Sequence, residues 1–99
     1  MVTRKIIWSP RAKIDLFNIL DFYFQRNGTK TYSIKLNSNL RKTIRLLETH
    51  PEIGVQTDIE KIRNLIHGDY EIFYEIKIKT IVIITIWDCR QNPKKFRIK

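Results

Sequence analysis

The 99-residue chain holds one cysteine, three glycines and three prolines. A lone thiol, Cys89, excludes an internal disulfide and a cysteine-based zinc site. The two histidines, His50 and His67, stand far apart, and their separation matches no metal-ligand spacing. So little glycine leaves no phosphate-cradling loop, and no Ser/His/Asp grouping is visible. Linkers, repeats and low-complexity segments are also missing. The densest apolar run, Ile81 to Trp87, falls far short of a membrane span. The opening MVTRKIIWSPR has no extended apolar stretch before Pro10, so it does not read as a secretory leader. Together these features predict a cytoplasmic protein with no membrane contact, no metal and no cofactor.

What is present fits one domain, residues 1–99. Apolar residues make up 42% of the chain. A chain this size buries roughly two-thirds of its unfolded surface, enough for a modest core. Charge is the strongest compositional signal, at net +9. Residues 22–47 carry Arg26, Lys30, Lys35, Arg41, Lys42 and Arg45 with no acid. Residues 48–75 hold seven acids against Lys61 and Arg63. Residues 76–99 then carry Lys77, Lys79, Arg90, Lys94, Lys95, Arg97 and Lys99 against Asp88 alone. Two basic regions flank an acidic middle, so a surface facing a polyanion is local. The last stretch, 90–99, is a basic tail.

Hydrophobic periodicity gives the element order. Val2 to Trp8 reads as a strand. Ser9-Pro10 is a helix start, because serine caps well and proline at the first helical position needs no N–H. Ala12, Leu16, Ile19, Leu20 and Tyr23 follow at helical spacing, and Phe17 and Phe24 widen the stripe. Asn27-Gly28 closes this helix. A second helix spans Lys30 to Thr49, with Tyr32, Leu36, Leu40, Ile44 and Leu47 in a narrow stripe. The short connection predicts an antiparallel hairpin. His50-Pro51 ends it, since the residue before proline is pushed out of the α region. Glu52 to Glu60 reads as a loop turning at Gly54. Lys61 to Ile66 is a strand, and His67-Gly68-Asp69 a hairpin turn. Tyr70 to Ile78 alternates with one wet face, broken by Phe73. Ile81 to Trp87, apolar on both faces, suits a central strand. The fold class is α+β in the order β-α-α-β-β-β: a helical hairpin packed on a mainly antiparallel four-stranded sheet.

These signatures in this order resemble the RelE/ParE family of toxins from type II toxin–antitoxin systems. IIWSPRAKIDLFNILDFYFQRNG is similar to that family's first strand and helix, and HPEIG to its post-helix turn, carried by Pro51 and Gly54. IRNLIHGDYEIFYEI is similar to its next two strands, with Arg63, Tyr70 and Tyr74 in the expected places. IVIITIWDCRQNP is similar to its last strand and the arginine after it. The resemblance covers nearly the whole chain. Each piece is a common pattern, and the ordered combination carries the specificity.

The family divides by target. RelE-like members cut mRNA on the ribosome, whereas ParE-like members inhibit DNA gyrase without known cleavage. Attack by an RNA 2′-hydroxyl needs a base, a charge stabiliser and an acid. In RelE-like members an arginine follows the first tyrosine of the third strand. Two lysines lie on the second strand, and a tyrosine or histidine in the tail. Here Glu71 follows Tyr70, the second strand offers Arg63, Asn64 and His67, and Phe96 stands near the tail position. A carboxylate at about 4 Å from the scissile phosphate would repel it by roughly 4 kcal/mol at a near-surface dielectric. The resemblance therefore implies a ParE-like gyrase inhibitor that arrests growth. A RelE-like endoribonuclease acting on ribosome-bound mRNA, using Arg63, His67 and Arg90, is the alternative. A non-toxic module that only pairs with an antitoxin is a third.

The resemblance also implies a cognate antitoxin, wrapped on the toxin in a hetero-oligomer. Phe17, Phe24, Phe73 and Ile78 are the apolar positions expected to receive it. Arg63, Arg90, Lys94, Lys95 and Arg97 are expected to contact the target, although ion pairing with Glu71, Glu75 or Asp88 competes for both strand arginines. Trp8 and Trp87 are expected in the core, Cys89 as a small strand-end residue, and His50 against the last helical carbonyls.

Overall fold

The structure is a computed structural model, and it describes residues 3–90. The basic tail beyond Arg90, with Lys94, Lys95, Phe96 and Arg97, lies outside the described residues, as does Val2.

The first strand, β1 (Lys5–Trp8), turns half-buried Ile6 and Trp8 toward the core and leaves Lys5 and Ile7 exposed. Ser9 follows as the N-cap of α1 (Pro10–Asn27). Its hydroxyl oxygen accepts from the Ala12 amide at 3.0 Å and donates to the Ile84 carbonyl at 2.7 Å. One short side chain thus starts the helix and fastens it to the sheet. Ala12, Leu16, Ile19 and Tyr23 form the buried stripe of α1. Gly28, at φ 73°, ends it by donating to the Phe24 carbonyl at 2.9 Å, a left-handed conformation that glycine adopts without steric cost.

The second helix, α2 (Thr31–Arg45), buries Ser33, Leu36, Leu40 and Ile44. It tightens into a 3-10 turn at Leu46–Glu48, which buries Leu47. Regular α-helix therefore ends earlier than the expected Thr49, although the stripe continues through the tighter turn. The Ser33 hydroxyl donates to the Leu20 carbonyl at 2.7 Å and draws the two helices together. Each fully buried Leu or Ile contributes roughly 1.5–3 kcal/mol, so this shared stripe is the main source of helix stability.

Among the described residues the sheet has five strands, not four. The additional strand is β2 (Val55–Gln56), a two-residue edge inside the segment expected to be loop. Two residues carry too little pattern to be recognised in sequence. Next come β3 (Ile62–His67), β4 (Tyr70–Ile76) and β5 (Thr80–Asp88), and the spatial order is β1-β5-β4-β3-β2. All neighbours are antiparallel except β1 and β5, which run parallel from Lys5↔Thr80 to Trp8↔Ile83. Thus β5 is central over its first half, and α1 packs over its second half where β1 has ended.

A bulge divides those halves. Phe73 pairs with Thr85 and Tyr74 with Ile83, leaving Ile84 without a partner on β4. Such an extra residue frees ladder groups that need other partners. The first turns of α1 supply them. Besides the Ser9 contact with Ile84, a carboxylate oxygen of Asp15 accepts from the Ile86 amide at 3.2 Å and from the Thr85 hydroxyl. Thr85 is fully buried by this arrangement.

Candidate functional site

Three rows across β3, β4 and β5 place the residues singled out in the sequence. The row His67↔Tyr70↔Asp88 lies on the helix side, at one end of the sheet. Thr43 of α2 spends its single hydroxyl proton on the Asn39 carbonyl. A 3.1 Å hydrogen bond joins the same hydroxyl to His67 Nδ1.

Arg90 closes the same end. Its Nε lies 3.3 Å from Asp69 and 3.6 Å from Asp88, and its terminal nitrogen donates to Tyr70 at 2.8 Å and to Tyr23. The guanidinium also stacks over both tyrosine rings, 5.3 and 5.6 Å from their centroids. Burial, reinforced by the Asp88 charge, pushes the Tyr70 phenol well above its usual range, so it stays protonated at neutral pH. Arg90 thus ties α1, β4, the β3–β4 turn and the end of β5 together.

Arg63 sits four residues from His67 on β3, roughly 13 Å away along the strand. Its guanidinium donates to the carbonyls of Gly54 at 2.9 Å and Glu52 at 3.2 Å, and to the Gln56 side chain at 3.2 Å. Opposite it, the Tyr74 hydroxyl donates to Pro51 O at 2.6 Å and accepts from the Gly54 amide at 3.0 Å. Arg63 and Tyr74 therefore pin the segment 51–56, which takes in Pro51 to Gly54 of the HPEIG turn, to the sheet.

Glu71 faces away from the helices, on the side opposite His67 and Arg90. Asn64 donates to one of its oxygens at 2.8 Å and the Cys89 thiol to the other at 2.9 Å. Burial and this carboxylate push the thiol up to about 11. Glu71 thus has neutral donors instead of the expected Lys or Arg. Glu71 shares no site with His67 and Arg90, because the register puts it on the other face. Arg63, His67 and Arg90 do not converge either, and each is engaged in holding another segment. No cluster of metal-ligating side chains forms among the described residues.

The four apolar positions expected to receive a partner occupy three places. Phe17, 66% exposed, and Phe24 line a groove of about 230 Å³ on the outer side of the helical hairpin, with Leu20, Ile34 and Lys30. Ile34, 65% exposed, was missed in the sequence because it lies off the buried stripe of α2. Its signal is a second apolar row, Phe17, Phe24 and Ile34, on a hairpin whose inner faces are already filled. Phe73 is on the sheet and only 6% exposed, so it is packed and not free to receive anything in this conformation. Ile78 projects from the β4–β5 turn at the far end. Trp8 is half-buried and packed against the core, with the Arg41 guanidinium 5.1 Å above its ring, and Trp87 is also half-buried. His50 bonds to the adjacent Thr49 hydroxyl at 2.8 Å.

The sequence model of the ParE toxin of type II toxin–antitoxin systems, parDE, matches residues 6–93. Among solved structures, the fold is similar to a chain of the chromosomal ParDE system from P. aeruginosa, with TM-score 0.75 and 20% identity over 85% of this chain and 94% of that one. It is similar to a chain of the RelBE2 toxin–antitoxin complex from Mycobacterium tuberculosis, with TM-score 0.62 and 16% identity over 89% and 93%. A third similarity is to a chain of the E. coli DinJ-YafQ toxin–antitoxin complex, with TM-score 0.57 and 13% identity over 92% and 98%. No curated protein matches the sequence. Among the described residues, no helix is long and apolar enough to cross a membrane.

Proposed function

The chain belongs to the ParE toxin family of type II toxin–antitoxin systems, and from that membership we propose that it arrests growth by inhibiting DNA gyrase through adhesion instead of cutting RNA. The observation that carries the proposal is the engagement of the polar side chains. A ribonuclease needs a cation at the scissile phosphate and a free acid–base pair. Glu71 stands beside Tyr70, on the face away from the helices, with Asn64 and Cys89 bonded to it. The two strand arginines are spent on a loop and on a turn. The Tyr70 phenol is held protonated.

Purified toxin is expected to inhibit gyrase supercoiling and to accumulate cleaved DNA, with no position-specific cuts in ribosome-bound message. Cuts by primer extension with gyrase unaffected would replace this reading with the ribonuclease one. Growth unaffected by induced expression would leave only the antitoxin-pairing module.

The groove along Phe17, Leu20, Phe24 and Ile34 supports an antitoxin segment as its occupant. A segment that orders on binding needs apolar pockets, and a chain of net +9 attracts an acidic one. Lys30, 5.8 Å above the Phe24 ring, puts a cation on the rim.

A further inference from the structure

The end of the sheet opposite Arg90 gathers cations from three separate segments. The Lys77 amide donates to the Thr80 carbonyl at 2.9 Å, closing β4 and β5 into a tight hairpin with Ile78 and Lys79 at its tip. The Lys5 amide donates to the Lys79 carbonyl at 3.1 Å. Arg4 Nε donates to the Lys77 carbonyl at 2.8 Å. The Ile76 amide donates to the Lys61 carbonyl at 3.1 Å. Lys61 has φ 71°, a left-handed conformation unusual for a residue with a side chain, and it lies where β3 begins beside the hairpin. Arg4, Lys5, Lys61, Lys77 and Lys79 are thus backbone neighbours. None of the five forms an ion pair among the described residues, and Glu75 is the one acid lining the cleft beside the tip. Ile78 stands between two of these lysines and is 85% exposed.

We infer that this hairpin tip binds double-stranded nucleic acid, with the five cations on backbone phosphates and Ile78 as an apolar wedge against the bases. Isolated cations on backbone-fixed positions are what phosphate neutralisation requires. A two-stranded ribbon fits a duplex groove, and a single Ile or Leu is the kind of side chain that groove binders press between base steps. An anionic membrane fits less well, because interfacial anchoring needs a broad apolar face and the tip has one isoleucine. A protein partner fits less well too, since the apolar groove, with exposed Phe17 and Ile34, lies on the helical hairpin and not at this tip. The inference does not depend on the gyrase reading.

The test is anisotropy of a fluorescein-labelled duplex titrated with purified toxin over a range of salt. Logarithmic affinity falls with logarithmic salt by roughly 0.9 per neutralised phosphate. The Lys77→Ala/Lys79→Ala double variant is expected to lower the steepness of that dependence by roughly 2. Basic residues beyond Arg90 also attract polyanions, which is why the change in slope is decisive and bare affinity is not. Ile78→Ala is expected to weaken binding roughly fivefold while leaving the slope unchanged. All three positions are exposed at the turn, and circular dichroism is the check that each variant folds. Absent duplex binding, or an unchanged slope in the double variant, overturns the inference. So does binding to phosphatidylglycerol vesicles that is lost in Ile78→Ala while duplex binding is untouched.

Discussion

The Tyr74 hydroxyl lies 3.0 Å from the Gly54 amide and 2.6 Å from the Pro51 carbonyl, so one phenol satisfies both ends of the turn that follows the helices. The same closeness dictates glycine. A Cβ at residue 54 would stand 2.6 Å from the Tyr74 oxygen and 3.0 Å from the Asn64 carbonyl. Tyr74 is fully buried, so neither group can retreat into solvent.

Tyr74→Phe is therefore expected to leave a buried donor and a buried acceptor unpaired, at about 1–3 kcal/mol. Gly54→Ala is expected to cost at least as much, because the obstacle includes backbone. For a domain this size, about 1 kcal/mol lowers Tm by roughly 4–8 °C. Thermal melts check both, and a Gly54→Ala melt matching the native one would show that the segment 51–56 can shift freely.

Asp15 is expected to matter for a different reason. Its carboxylate receives the Thr85 hydroxyl and the Ile86 amide at the bulge, and Arg11 stands only 3.7 Å away as a partly exposed neighbour. Asp15→Ala removes a charged acceptor from a buried N–H, expected to cost about 1.5–3 kcal/mol. Arg11→Ala, which removes only a surface pair, is expected to cost less than about 1 kcal/mol. Urea denaturation of the two variants gives the comparison, and equal losses would mean that the bulge is held by packing alone.

The apolar positions separate by burial. Phe17→Ala and Ile34→Ala remove exposed side chains and are expected to change stability by less than about 0.5 kcal/mol. Both are expected to weaken binding of the cognate antitoxin segment by calorimetry. Phe73→Ala removes a packed ring and is expected to cost about 3–5 kcal/mol. An undiminished antitoxin affinity in the folded Phe17→Ala/Ile34→Ala variant would move the docking site away from the hairpin groove.

Local chemistry made most of the architecture legible. Ser9-Pro10 and Gly28 marked the ends of α1 because capping is decided by two or three neighbouring residues. The alternation from Tyr70 and the apolar run to Trp87 marked β4 and β5. Two-residue β2 fell below any periodicity, and the parallel pairing of β1 with β5 is a long-range choice that no local pattern encodes. The site was less legible for the same reason. Arg63, Glu71 and Arg90 were recognisable as unusual, but their partners come from residues 52–56, 64 and 89, and 23, 69, 70 and 88. Register determines which of these share a face. The bulge at Ile84 changes that register within β5, and the only local trace of it is the interruption at Phe73.

Cys89 gives a pH-dependent readout of the face away from the helices. Burial, with the Glu71 carboxylate accepting the thiol proton, raises its pKa to about 11, against roughly 8.5 for a free thiol. The folded state therefore holds the proton more tightly than the unfolded chain does. This contribution is fully present below about pH 8.5, and it declines as pH rises through about 11, since the unfolded thiol ionises first. Glu71→Gln removes the charge that opposes the thiolate while leaving an amide oxygen in place. It is expected to lower the thiol pKa and shift the onset of iodoacetamide labelling to lower pH, with the native protein labelling slowly at pH 8. Labelling profiles of the two proteins, read beside a fold check at each pH, decide the matter. Coincident profiles would mean that burial alone sets the thiol and that the carboxylate at 2.9 Å contributes nothing.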